Sequence, residues 1–80
     1  MSASQLDRLV KMVNQIALNM SANGTDKVVA DQVAQHLEKF WSPPMKKRII
    51  QLPSDANVQL SAVACLAIHK LAEIQKRKNP

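Results

Sequence analysis

The histidine and cysteine side chains of this 80-residue chain, the types most often paired on a helix to hold a metal, are His36, Cys65 and His69. Cys65 and His69 stand four apart, the spacing at which two helical side chains point the same way. A metal site needs further ligands that converge on the same point, and none is evident. Both residues also fall on the less apolar side of their segment, so a chance surface pair is the reading favoured. His36 lies at the edge of an apolar stripe beside Val33 and Phe40. It reads first as a boundary histidine packed on Phe40, and second as a partner contact. There is no Ser-His-Asp or Cys-His-Asn pattern and no close pair of acids, and the lone Gly24 builds no phosphate loop. The chain reads as a non-enzyme with no metal or cofactor of its own.

The elements that must position these residues are helical. A single glycine, no tyrosine and abundant Ala, Leu, Lys and Gln favour helix over sheet. Periodicity predicts four helices, at about 5–21, 26–41, 43–52 and 62–76, followed by a basic tail, 76–80, that frays. The fold class expected is all-α, a small bundle in one domain.

Leu6, Leu9, Val10, Val13, Ile16, Ala17 and Met20 form the first stripe, behind a cap at Ser4 with Asp7 three residues on. Asn23 or Gly24 can take a left-handed conformation and stop it. Thr25 or Asp26 caps the second helix, whose stripe is Val29, Val33, Leu37 and Phe40, broadened by Ala30 and Ala34. On that stripe, truncating Phe40 would leave a cavity costing about 3–5 kcal/mol. Ser42 caps the third helix, with Pro43 at its first position; Met45, Ile49 and Leu52 face inward, and Pro53 ends it. A loop follows to Leu60. Ser61 caps the fourth helix, whose face is Val63, Ala64, Ala67, Ile68, Leu71 and Ile74.

The net charge of +5 is unevenly placed. Residues 1–45 are neutral, and the excess sits in two triplets, Lys46-Lys47-Arg48 and Lys76-Arg77-Lys78. Such a surface suits an acidic protein, nucleic acid or anionic lipid. Consecutive lysines on a helix fan over about 200° and do not line one face. Single-strand readers interleave cations with exposed aromatics, whereas Phe40 and Trp41 both adjoin the expected core face. A short third helix ending Ile49-Ile50-Gln51-Leu52-Pro53 makes a poor recognition helix. Nucleic acid is therefore disfavoured as a partner.

Some apolar residues miss their own stripes. Leu18 lies about 140°, and Met12 about 100°, from the centre of the first face; Leu66 lies about 120° off the fourth. Ile50 is off the third. Isolated exposed apolar residues are ordinary, but four in so small a chain also suit a second buried surface against a partner. Asp7, Arg8, Lys11, Asn14 and Gln15 interrupt any signal-peptide core, and Val58–Ile68 is too short to span a bilayer. One cysteine suits a reducing compartment. The expectation is a cytoplasmic protein with no membrane contact.

Two segments carry a family resemblance. Leu9-Val10-Lys11-Met12-Val13-Asn14-Gln15-Ile16-Ala17 resembles the N-terminal signature of the delta subunit of soluble NAD-dependent molybdenum formate dehydrogenase. Val29 to Met45, running through His36-Leu37-Glu38-Lys39-Phe40-Trp41-Ser42-Pro43-Pro44, is similar to its second signature, and together the two cover roughly residues 6–52. Val13 stands where the family usually has Ala, and 53–60 lacks its glycine-rich loop. The resemblance implies a cofactor-free accessory subunit that assembles, matures or stabilises the complex. Its partners would be formate dehydrogenase subunits, chiefly the large molybdenum-containing one. Met12, Asn14, Gln15, Leu18, His36, Trp41, Lys46, Lys47 and Arg48 are the candidate partner-binding residues, with no catalytic, cofactor or metal site. The rival readings are a small basic nucleic-acid-binding protein and a free-standing helical homodimer.

Overall fold

The computed structural model describes residues 5–51 and 59–78. The Ser4 cap, the inward Leu52, the Pro53 stop and the loop through Val58 lie outside the described residues. Among the described residues four α-helices follow one another: α1 Gln5–Asn19, α2 Asp26–Phe40, α3 Pro43–Ile50 and α4 Ala62–Lys78. A single 3-10 turn, Ser21–Asn23, links α1 to α2. Among the described residues the architecture is all-α.

Most of each helix's apolar stripe turns inward, with Phe40 of α2 the exception described below. Leu9, Val10, Val13 and Ala17 of α1 meet Val29, Ala30, Val33, Ala34 and Leu37 of α2. Ile49 of α3 and Ala64, Ala67, Ile68 and Leu71 of α4 complete this core. The most extensive contact is between α2 and α4. Both helices contribute buried alanines to the core, Ala30 and Ala34 from α2 and Ala64 and Ala67 from α4, small side chains that suit closely packed backbones. The pair runs parallel, since Asp31 meets Lys70 at mid-helix and Glu38, further along α2, meets Gln75 and Lys78, further along α4.

The helix ends follow from local chemistry. Thr25 Oγ1 accepts from the Val28 amide at 3.4 Å, and Ser61 Oγ accepts from the Ala64 amide at 3.1 Å. Gly24 takes φ +158°, and a Cβ there would lie 3.1 Å from Val28 Cγ1, so the turn into α2 needs a glycine. Ser42 occupies the N-cap of α3 but makes no side-chain capping bond. Pro43 and Pro44 fill the first two positions and lack amide hydrogens, so few donors there require a cap. α1 ends at Asn19 rather than residue 21, because the chain tightens into the 3-10 turn, with Ser21 Oγ donating to the Leu18 carbonyl at 2.8 Å. α3 stops at Ile50, with Gln51 as its C-cap. The basic tail does not fray from residue 76: α4 continues to Lys78, whose ammonium is held by Glu38.

The aromatic pair corrects the sequence reading. Phe40 is 73% exposed, whereas Trp41 is only 6% exposed and belongs to the core. The helix ends between them. Trp41, the C-cap of α2, turns to φ −86° and ψ 141° while its amide still donates to the Leu37 carbonyl. That extended step carries the indole inward. Phe40 remains outside against His36, their ring centroids 4.8 Å apart, as expected of a boundary histidine. Trp41→Ala should therefore cost about 3–5 kcal/mol, a large part of a small domain's stability. Phe40→Ala should cost under about 1 kcal/mol. Urea unfolding of the two variants, side by side, checks the assignment.

Candidate functional site

No described group of three or more His, Cys, Asp or Glu side chains could hold a metal ion. Cys65 and His69 are both exposed on α4, and His69 lines a shallow groove with Lys27, Ala30, Leu66, Lys70 and Glu73. Three regions of the described surface stand out.

The first lies where the end of α1 meets the start of α4. Asn14 Nδ2 donates to the Gln59 carbonyl at 2.7 Å, and its Oδ1 accepts from the Ser61 amide at 3.0 Å. Asn14, a candidate partner contact, is thus a clamp within the fold, joining segments 45 and 47 residues apart. Beside it, Leu18 is 66% exposed and lines an apolar groove with Ala17, Ser21 and Val63. Gln15 is also exposed, donating to the Asn19 side chain at 3.1 Å.

The second region is apolar and scattered. Met12, Val28 and Leu66 are exposed, as is Phe40. Met12, Leu18 and Leu66 are exposed where their angular positions predict. Val28 and Phe40 were missed. Val28 lies about 170° from the centre of the α2 face on a 3.6-residue wheel, a signal that could have found it. Ile50, off the α3 stripe, is half-buried and packs against the core.

The third region is the end of the molecule around Glu38. The Lys46 ammonium donates to the Glu38 carbonyl at 3.2 Å and to its Oε2 at 3.3 Å. Gln75 donates to the same Oε2, and Lys78 donates to Oε1. One half-buried carboxylate thus gathers a residue from each basic triplet. Lys46 is tied down in this way, while Lys47 and Arg48 remain exposed, consistent with the fan of consecutive helical positions. Trp41, placed among the candidate contacts by its sequence neighbourhood, is in the core and offers no open face.

Glu38 is held below the usual carboxylate pKa, chiefly by the hydrogen bond from Lys78. Partial burial opposes this, and the Lys46 bond and both ammonium charges reinforce it. A lowered folded pKa means that the stabilisation is complete above the unfolded value and is lost as pH falls through the folded one. The stability difference between the parent and Glu38→Gln should accordingly be largest near neutral pH and shrink below about pH 4. Thermal melts across that range would show it; a difference constant with pH would contradict the anchor. In a separate measurement, Asn14→Ala should lose about 1–2 kcal/mol in urea unfolding, having lost both clamp bonds.

Residues 8–68 match the family described as NADH-dependent formate dehydrogenase delta subunit FdsD. The match passes beyond the two signatures near α1 and α2 and reaches into α4. No curated protein and no solved structure matches significantly. A family match of this extent, over helices arranged as described, establishes that the chain belongs to the delta-subunit family of NADH-dependent formate dehydrogenase.

Proposed function

We propose that the chain is a non-catalytic accessory subunit that assembles, matures or stabilises a cytoplasmic NAD-dependent molybdenum formate dehydrogenase by protein–protein contact. Its contact would be the large molybdenum-containing subunit. The observation that carries this reading is the family match over residues 8–68.

Other features agree with it. Exposed Leu18, Met12 and Leu66 give a partner apolar area to cover. No described helix is long and apolar enough to cross a membrane.

Deleting the protein from cells that make the complex should lower the yield or the cofactor loading of active formate dehydrogenase. The enzyme that does mature should oxidise formate normally. Fully loaded enzyme that is kinetically crippled would point instead to a direct catalytic contribution. For the contact itself, a Gln15→Ala, Leu18→Lys double variant should fold with about 1 kcal/mol of change or less. It should lose capture of the complex, because a lysine in a packed apolar contact is buried without a counter-charge. Circular dichroism melts and a tagged pull-down on the same preparation test both halves; a folded variant that captures the complex as the parent does would move the interface elsewhere.

A further inference from the structure

The two basic triplets are about thirty residues apart in sequence, yet the parallel packing of α2 and α4 sets them side by side. Lys46 of α3 and Lys78 of α4 share the Glu38 carboxylate. The six cations of the triplets less Glu38 account for the whole net charge of +5; the remaining charged residues of the chain cancel. Lys47, Arg48, Lys76 and Arg77 make no side-chain hydrogen bond or ion pair with any described residue. Between α3 and α4 at this end runs a groove lined by Pro43, Lys47, Ile50, Gln51 and Gln75. It joins an apolar floor, Pro43 and Ile50, to one cation of the triplets, Lys47.

We infer that this basic end is a docking site for an acidic segment of a protein partner, whose carboxylates meet Lys47, Arg48, Lys76 and Arg77 while an apolar side chain enters the α3–α4 groove. The inference rests on the accessory-subunit reading and adds to it the chemistry of the surface recognised. Charge complementarity selects the occupant: an end that carries the chain's entire positive excess favours an acidic surface and disfavours a basic one. Glu38 does not compete, because its oxygens are already taken by Lys46, Gln75 and Lys78. A protein segment fits better than single-stranded nucleic acid. Phe40, the exposed aromatic, lies about 160° around α2 from Glu38, so no stacking platform accompanies the cations.

The test is capture of formate dehydrogenase complex purified from cells that lack this chain. The added protein is either the parent or Lys47→Glu/Arg48→Glu/Arg77→Glu, with a glutamine version of the same triple change as a second variant. None of the three side chains makes a hydrogen bond or ion pair with a described residue, and circular dichroism confirms folding before binding is measured. The parent should bind, weakening roughly tenfold between low and moderate salt. The glutamate variant should bind at least tenfold more weakly than the parent, and the glutamine variant should fall between them. Both variants binding within twofold of the parent would overturn the inference and leave the accessory role standing. A parent that fails to bind the complex at all would defeat both. A random-sequence DNA duplex, or vesicles containing anionic phospholipid, that bound the parent more tightly than the complex does would also overturn it, assigning the basic end to nucleic acid or lipid.

Discussion

Close contact between α2 and α4 is the constraint on which the remaining structure depends. Alanines at positions 30, 34, 64 and 67 are buried in the core where these helices meet, and larger side chains there would force the backbones apart. Around that seam, Val33, Leu37 and Leu71 are fully buried. α1 and α3 then close the remaining sides with Val13 and Ile49. A domain of this size has little apolar area to spare, so one well-packed helix pair contributes a large share of its stability.

The same pairing organises the surface. Because α2 and α4 run in the same direction, their C-terminal ends emerge together, and only two residues, Trp41 and Ser42, separate α2 from α3. Three chain segments meet there, and Glu38 holds them. Lys46 reaches it from α3; Gln75 and Lys78 reach it from α4. Cations at the C-terminus of α4 also face the negative end of its dipole, which favours helix there. The Lys78 contact and this dipole together explain why the last turn is ordered where charge repulsion alone would suggest fraying. At the opposite end, Asn14 ties α1 to the backbone just before α4, so α4 is secured at both ends by polar side chains.

Much of the fold was legible in the sequence. Apolar steps of three and four marked all four helices, and Thr25 and Ser61 announced their caps. The aromatic pair was not legible, for a physical reason. At 100° per residue, Phe40 and Trp41 each lie about 50° from the centre of the α2 face, on opposite flanks. Periodicity cannot choose between them; the extended C-cap that starts the turn into α3 does. Asn14 carried no signal because its partners are backbone atoms far along the chain. The union of the two triplets was likewise hidden, since it depends on the direction and register of α2 against α4, which neither segment encodes alone. Leu18 and Gln15, by contrast, could be placed outside from one helix's own spacing.

Family membership and surface chemistry meet in one account: a small helical subunit whose packing creates an apolar groove at one end and a cationic surface at the other. The central claim is that two sequence-distant basic triplets form one surface. Cross-linking the native chain with a short amine-reactive linker, followed by mass spectrometry, tests it most directly. The account predicts an abundant intramolecular link from Lys46 or Lys47 to Lys76 or Lys78, independent of protein concentration and abolished by denaturant. A cross-link between Lys27 and Lys70, which border one groove, serves as the internal control. Recovery of that control link with no link between the triplets would contradict the account.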